Sequence, residues 1–299
     1  MKKDKKDLYQ IVTDKVVSAL EKANNLVWRK TFKGYGLARN LATGHYYTGI
    51  NFILLNFCTE YELPYYLTFK QVKELGGQVR KGAKSEMVIY FNVILKDKDQ
   101  KKITKQEALD LKRNGQVVNI NKFVKYYNVF NIADIEGIEH DITVSHFKDD
   151  NSIIENCADL IENIPDCPII KHNDPNRAFY SITDDYINIP RIQLHKSSET
   201  YYSVLFHELI HSTGAVSRLN RETLNEIVYW GDEVYSEEEL VAELGASFLA
   251  AMTGIDQESL FENSVAYLQS WLSKLKDDKQ LIFRASAAAQ KAVNYLVSE

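Results

Sequence analysis

The side chains best suited to chemistry stand together in the segment His207-Glu208-Leu209-Ile210-His211. On a helix, residues four apart lie one turn apart on the same face, so the imidazoles of His207 and His211 can bind one Zn²⁺ ion. Glu208 is offset by about 100° around the helix axis and can accept a proton from water as a general base. The H-E-x-x-H pattern therefore predicts a zinc-dependent hydrolytic site.

A catalytic zinc site needs three protein ligands and one open position. In the metzincin class of peptidases a third histidine would stand at position 217, but the residue there is Ser217, which excludes that ligand set. A later segment offers Glu239 and Glu243, one turn apart on one helix face. One can bind zinc while the other accepts the N–H of a ligand histidine. The order of residues in gluzincin helices favours Glu239 as the ligand and Glu243 as the acceptor.

Helical periodicity places both motifs on helices of a mainly helical region. The predicted helices are Ser152–Ile164, Ser198–Ser212, Glu237–Thr253, Glu258–Leu275 and Leu281–Val297. Two short strands, Ala178–Ser181 and Tyr186–Ile189, precede the histidine helix, where zincins place the edge strand that binds an extended peptide. The candidates for stabilising an oxyanion, none of which the pattern favours, are Tyr186, Tyr201, Tyr202 and Tyr229.

The charges of the chain are divided unevenly between its two halves. The sequence has 299 residues and a formal net charge of −5. Residues 1–140 contain 24 Lys and Arg against 15 Asp and Glu, whereas residues 141–299 contain 12 against 26. One basic and one acidic half indicate two domains with different partners, which we place at 1–140 and 150–299.

The remaining composition argues against several classes of protein. The apolar segments fall short of the roughly 20 residues that a membrane span needs, so no membrane partner is expected. No secretory signal is visible at the N-terminus. The three cysteines, an odd count without a C-x-x-C pair, support neither a disulfide framework nor a thiolate zinc site. We therefore expect a reducing, cytoplasmic location.

The basic half mixes helix and strand patterns. Its predicted helices are Asp7–Ala23, a buried helix at Gly49–Cys58, and one from the N-cap Thr68 to Gly76-Gly77. Two strands rich in β-branched and aromatic residues follow at Glu86–Leu95 and Lys122–Asn131. The charged segment between them, residues 96–121, is expected to be a mobile insertion with a short helix at Lys105–Arg113.

Aromatic and basic residues alternate through this half. Together they offer rings on which bases stack beside cations that bind phosphate, which is typical of proteins that hold single strands without reading their sequence. The residues of this kind that we predict to bind DNA are Trp28, Arg29, Lys30, Arg39, Tyr46, Tyr47, Lys70, Arg80, Lys81 and Lys84. Three other aromatic residues, Phe52, Phe57 and Phe91, are expected in the core.

Several motifs together resemble the ArdC-type antirestriction proteins of conjugative plasmids and mobile elements. In the acidic half they are HELIHSTG (His207–Gly214), Ser217-Arg218-Leu219 and EELVAELGASFLA (Glu238–Ala250). In the basic half they are Trp28-Arg29-Lys30, Asn40–Asn51, Leu67–Gln71, Gly76–Gly82 and Tyr127–Asn131. The family usually has Pro before Trp-Arg-Lys, where this chain has Val27. The likeness covers nearly the whole chain except the 96–121 insertion.

The resemblance implies an α+β fold: an N-terminal mixed α/β domain that binds single-stranded DNA, then a mostly helical, zincin-like metallopeptidase domain with a small sheet. It adds Asn40 and Asn51 to the expected DNA-binding residues. It implies Zn²⁺ as the cofactor, with Mn²⁺ or Co²⁺ as other divalent candidates. The implied partners are single-stranded DNA and either a protein substrate or a host restriction enzyme.

The function implied by the resemblance is protection of incoming DNA from host restriction enzymes. Two alternatives stay open. The chain could be a regulatory zinc metallopeptidase that its basic domain docks on DNA, or a DNA-binding module with a vestigial zinc site.

Overall fold

The computed structural model describes residues 7–23, 37–61, 63–138, 150–225, 233–255 and 265–297. Within these ranges the chain has the α+β architecture that the family resemblance implies. The α-helices are α1 (Leu8–Ala23), α2 (Ile50–Phe52), α3 (Phe69–Glu74), α4 (Lys105–Arg113), α5 (Asp150–Glu162), α6 (Ser198–Ser212), α7 (Glu222–Asn225), α8 (Glu233–Thr253), α9 (Val265–Asp277) and α10 (Leu281–Leu296).

The strands of the described residues form two main sheets and one short pair. They are β1 (Arg39–Asn40), β2 (Tyr65–Thr68), β3 (Gln78–Val79), β4 (Glu86–Lys96), β5 (Lys102–Ile103), β6 (Asn119–Asn131), β7 (Ile135–Glu136), β8 (Ile169–Lys171), β9 (Phe179–Ser181) and β10 (Tyr186–Asn188). The predicted helices and strands are found in these ranges, except that residues 258–264 of the predicted helix Glu258–Leu275 lie outside the described residues. Helix α7, strand β8 and the two-residue strands were not predicted, because they are too short to show a hydrophobic period.

The long strands β4 and β6 form the centre of a five-stranded sheet with the order β1-β2-β6-β4-β5. They pair in antiparallel fashion from Glu86 opposite Val129 to Lys96 opposite Asn119. The segment expected to be a mobile insertion, residues 96–121, has regular structure: β5 pairs with the end of β4, and α4 begins at a capping box formed by Thr104 and Glu107. It therefore extends the β4–β6 hairpin.

The buried helix predicted at Gly49–Cys58 is α2, continued by a π-helical turn at Ile53–Phe57. Phe52 and Phe57 are buried, as expected. Phe91 is not: its side chain is 50% exposed, because β4 continues beyond the core. Its ring lies edge-on to that of Phe283, with centroids 5.9 Å apart.

Asn51, which is expected to bind DNA, has a structural contact. Its Nδ2 donates a hydrogen bond to the carbonyl of Ile89 (2.8 Å), and its Oδ1 accepts one from the Ile89 N–H (2.6 Å). These main-chain groups lie on the edge of β4 that faces away from β6, where no strand pairs with Ile89 among the described residues. The Asn51 amide thus provides hydrogen-bond partners for main-chain groups at a sheet edge.

Asn40 and Tyr47, which are also expected to bind DNA, form hydrogen bonds within the protein. The buried Asn40 Oδ1 accepts hydrogen bonds from the N–H groups of Ala42 and Thr43, both at 3.1 Å. Its Nδ2 donates to Gln71 Oε1 (3.0 Å) and to the Tyr47 hydroxyl (3.3 Å). These contacts hold the turn after β1 against the start of α3.

The second half combines a small sheet with packed helices. Strand β10 pairs in parallel with β8 and in antiparallel fashion with β9, so β9 lies at an edge. Helices α6 and α10 both pack on α8. The α6–α8 contact is close at Gly245, where an added Cβ would lie 2.6 Å from Ile210 Cδ1, so a larger residue there would require the Ile210 side chain to move.

The largest apolar core contains residues from both halves of the sequence. Helix α1 packs against α9, and the Thr13 hydroxyl donates a hydrogen bond to the carbonyl of Lys279 (2.9 Å). The rings of Phe52 and Phe248 lie 4.3 Å apart between centroids. The basic and acidic halves therefore share a core. Among the helices described, none is both long and apolar enough to cross a membrane.

Replacing Asn51 with alanine should lower the free energy of unfolding by about 1–3 kcal/mol, because the N–H and C=O of Ile89 lose their partners. Urea denaturation of the full chain measures the loss. The matched control is Asn128→Ala, an exposed asparagine on β6, which should change stability by less than about 0.5 kcal/mol. Equal losses in the two variants would contradict the structural role of Asn51.

Candidate metal centre

Two packed helices carry the residues of the candidate metal centre. Helix α6, capped by the Ser197 hydroxyl, which accepts from the Thr200 N–H (3.2 Å), presents His207 and His211 on one face. Helix α8 presents Glu239. One ligand atom from each of these three residues lies within 4.8 Å of the others. The close α6–α8 approach at Gly245 brings these side chains within reach of one another.

The arrangement of the ring nitrogens fits a bound cation. Nε2 of His207 and Nε2 of His211 lie 3.0 Å apart, and each lies 3.4 Å from an oxygen of Glu239. Both Nδ1 atoms face carboxylates, so each ring can donate there and leave Nε2 as an acceptor. Two acceptors and a carboxylate that converge in this way form a donor set for a divalent metal ion.

Each histidine has its own carboxylate on the side away from this cluster. Nδ1 of His207 lies 3.4 Å from Glu243 Oε1, the partner predicted from the sequence. Nδ1 of His211 lies 3.1 Å from Glu238 Oε1. Such contacts fix the tautomer and the orientation of a ligand imidazole. The other oxygen of Glu243, Oε2, is buried and has no hydrogen-bond partner in the described part of the chain.

Glu238, whose side chain is completely buried, was not predicted as a site residue. Arg221 donates two hydrogen bonds to it, from Nη2 to Oε1 (2.6 Å) and from Nε to Oε2 (3.0 Å). The Thr223 hydroxyl donates a third (2.5 Å). The sequence does carry a signal for it, the run Glu237-Glu238-Glu239 at the start of an apolar segment. A glutamate buried in such a segment needs a cation as its partner.

Gly214 makes room for this arginine. A Cβ at Gly214 would lie 2.8 Å from Arg221 Nη2. The guanidinium also donates to the carbonyl of Ile210 (2.8 Å) and to the Thr213 hydroxyl (2.6 Å). Arg221 thereby ties the end of α6 to α8 as well as neutralising Glu238.

The pKa values of these groups favour positive charge between the carboxylates. Burial alone would lower the pKa of His211, but hydrogen bonds to Glu238 and Glu239 raise it to about 9. Burial is likewise outweighed at His207, whose pKa lies well above its usual value because of Glu239 and Glu243. Burial would raise the pKa of Glu238, but His211 and Arg221 hold it at about 2. A divalent cation would meet the same demand for positive charge.

Glu208 lies at the edge of this cluster beside strand β9. Burial raises the pKa of its carboxyl above the usual value, and the main-chain N–H of Tyr180 donates a hydrogen bond to it. A carboxyl with a raised pKa suits proton transfer near neutral pH. The prediction that the strands before α6 lie at the site agrees with this contact, since Tyr180 belongs to β9.

Arg218 holds the β9–β10 turn in place. Its guanidinium donates two hydrogen bonds to the carboxylate of Asp185, at 2.8 and 3.0 Å. Asp185 also accepts from the Tyr180 hydroxyl (2.8 Å). The loop after α6 therefore fixes the edge strand that carries the Tyr180 N–H.

The tyrosine candidates for an oxyanion partner have other contacts. Tyr201 packs edge-on against His195 and Tyr202, and Lys171 Nζ lies 3.8 Å from the ring centroid of Tyr186. Tyr229 lies outside the described residues.

The residues expected to bind DNA occupy several elements. Trp28, Arg29 and Lys30 lie outside the described residues. Arg39 stacks on Tyr65, with its Cζ 4.6 Å from the ring centroid, and pairs across a bridge with the exposed Tyr46. The remaining ones are exposed cations: Lys70 and Arg80, which form surface ion pairs with Glu74 and Glu136, and Lys81 and Lys84.

Comparisons with known proteins match both halves. Residues 6–130 match the family "N-terminal domain of anti-restriction factor ArdC", and residues 163–288 match the family "zincin-like metallopeptidase". The crystal structure of the metal-free antirestriction ArdC protein from plasmid R388 is 34% identical, with a TM-score of 0.73 over 97% of this chain and 96% of that one. Its Mn(II)-bound structure is 33% identical, with a TM-score of 0.71 over 98% and 97%.

A relative of different size is the DNA primase TraC of Escherichia coli. It is 29% identical over 98% of this chain. The chain spans 27% of the length of that primase.

Removing one carboxylate at a time should separate ligand from positioning roles. Glu239→Gln should lose more divalent-metal affinity than Glu243→Gln or Glu238→Gln, which should each weaken it about 10–100-fold. Competition with a chromogenic chelator, using Zn²⁺ and Mn²⁺, measures affinity. Glu237→Gln, which alters a neighbouring glutamate paired with Arg284, is the control and should bind metal normally. If Glu243→Gln loses more metal than Glu239→Gln, the two roles are reversed.

Proposed function

The chain belongs to the family of ArdC antirestriction proteins, and on that premise we propose that it protects the incoming DNA of a mobile element from host restriction enzymes in the cytoplasm. The observation that carries the proposal is the likeness to the R388 protein across 97% of the chain at 34% identity. The test is plasmid transfer into recipient cells with and without an active restriction enzyme. Expression of the chain should raise transfer into the restricting recipient alone.

Protection would depend on DNA binding by the basic half, with single-stranded DNA as the partner. The charge excess of residues 1–140 and the exposed cations Lys70, Arg80, Lys81 and Lys84 suit the phosphate backbone. Arg39 and Tyr46 add a stacking surface. The similarity to a segment of a DNA primase supports a role on DNA.

The resident metal in this proposal is Zn²⁺, held by His207, His211 and Glu239. Two imidazoles and one carboxylate are a ligand set that zinc hydrolases use, and Mn²⁺ or Co²⁺ also suits these donors. The Mn(II)-bound form of the R388 protein supports a divalent ion at this site.

Peptide hydrolysis is the chemistry that this site would perform. A bound divalent metal would lower the pKa of water and polarise a substrate carbonyl. Glu208 would take the proton at its carboxylate, in an orientation that the Tyr180 N–H helps to fix. The edge strand β9 would pair with an extended substrate. The alternative, a DNA-binding module with a vestigial site, predicts metal binding without hydrolysis.

Glu208→Gln should keep metal and DNA binding, because the side chain acts on water and is not a ligand. It should lower any hydrolysis of casein or a peptide library by about 10²–10⁴-fold. Restriction protection in cells should persist, since a DNA-binding domain can shield DNA without cleaving peptides. Loss of protection in this variant, with normal metal content, would show that protection depends on hydrolysis.

Arg80→Ala combined with Lys81→Ala should flatten the salt dependence of single-stranded DNA binding. For each phosphate contact that is lost, the slope of log affinity against log salt concentration should become shallower by about 0.7. Fluorescence anisotropy at several salt concentrations measures the slope. Arg191→Ala with Lys291→Ala removes the same charge from exposed positions in the acidic half and should leave the slope unchanged. Equal slopes in all three proteins would exclude Arg80 and Lys81 from the contact.

A further inference from the structure

The outer part of the β4–β6 hairpin presents an aromatic and cationic stripe on one face. The strand register places Val88 opposite Tyr127, Tyr90 opposite Lys125, and Asn92 opposite Phe123. Directly opposite residues in an antiparallel pair share a face, as do residues two apart on one strand. We call Tyr90, Phe123, Lys125 and Tyr127 the hairpin stripe.

The two tyrosine rings of the hairpin stripe are open to solvent although they contact each other, and Phe123 is partly exposed. The side chains of Tyr90 and Tyr127 are 48% and 50% exposed, and their rings meet edge-on with centroids 6.0 Å apart. Lys125 Nζ lies 5.3 Å from the ring centroid of Phe123. A contiguous exposed aromatic surface of this kind marks a binding site more often than scattered apolar residues do.

The charge around the hairpin stripe indicates which kind of molecule binds there. Residues 90–127 contain nine Lys and Arg against four Asp and Glu. Exposed rings beside cations fit a polyanion that also offers flat apolar faces, which describes single-stranded nucleic acid. Tyr127 and Phe123 lie about 14 Å apart along β6, so the stripe is long enough to contact more than one base.

The stripe is separate from the surface that contains Arg39 and Tyr46. By register, Arg39 shares a face with Tyr65, whereas the stripe shares the opposite face with Tyr66 and Val129. The two surfaces therefore lie on opposite faces of the five-stranded sheet.

We propose that the hairpin stripe is a second contact surface for single-stranded nucleic acid, on which bases stack against Tyr90 and Tyr127 while Lys125 binds a backbone phosphate. The proposal rests on the proposed DNA-binding function and adds a site to it.

Fluorescence anisotropy of the full chain with a labelled oligo(dT) strand tests the proposal. Tyr90→Ala with Tyr127→Ala should weaken binding about tenfold or more, because base stacking is lost. Tyr90→Phe with Tyr127→Phe keeps both rings and should bind like the unaltered chain. Lys125→Gln should reduce the salt slope by about 0.7.

Tyr126→Ala is the matched control. Tyr126 is adjacent in sequence and 43% exposed, but it lies on the opposite face of the hairpin, opposite Ile89. It should leave binding unchanged. An equal loss in Tyr126→Ala and the stripe variant would overturn the proposal, as would a stripe variant that binds normally.

Photocrosslinking of the unaltered chain to a bromodeoxyuridine strand needs no substitution that could disturb folding. Crosslinks should map to the hairpin stripe, and their absence there would overturn the proposal. If Arg80→Ala with Lys81→Ala weakens binding while the stripe variants and crosslinks are negative, the stripe proposal fails and the proposed DNA-binding function stands. If the unaltered chain binds no oligonucleotide at low salt, both fail.

Discussion

The distance between α6 and α8 determines whether a metal centre can form in this protein. Glutamate and histidine side chains reach only a few ångströms from the helix backbone, so their donors meet only if the helices nearly touch. At Gly245 they do, because an added Cβ would lie 2.6 Å from Ile210 Cδ1. Glu243 lies two residues before this glycine, and Glu239 lies about one turn further back. Because Gly245 has no side chain, the two helices come close enough for the histidines of α6 and the glutamates of α8 to meet.

The same close approach buries several carboxylates, and the surrounding residues compensate for their charge. Glu238, Glu239 and Glu208 are all buried. Arg221 neutralises Glu238 and also bonds the end of α6. The two imidazoles face Glu239 on one side and Glu238 or Glu243 on the other. An uncompensated buried charge would cost several kcal/mol, so this network links the stability of the helix pair to its chemistry.

Local patterns were enough to predict most elements and the core of the site. The H-E-x-x-H spacing fixed the face of α6, and helical period placed Glu239 and Glu243 on one face of α8. The role of Glu238 was missed because it depends on Arg221. Arg221 lies on a loop, and the path of a loop cannot be predicted from hydrophobic periodicity. Asn40 and Asn51 were expected to bind DNA from the family resemblance, and nothing in the sequence shows that their amides also satisfy main-chain groups. Their hydrogen bonds to the turn after β1 and to Ile89 depend on tertiary packing.

The shared core has a consequence for how the chain folds during synthesis. Val16 is buried in the core that includes Leu275 and Phe283, and Asp7 pairs with Lys279 at 2.6 Å. The ribosome must add roughly 250 further residues after α1 before its partner α9 emerges, which takes about 10–50 s at typical elongation rates. During that interval the part of the α1 surface that packs against α9 has no native partner. The basic half therefore reaches its final packing only when synthesis is nearly complete.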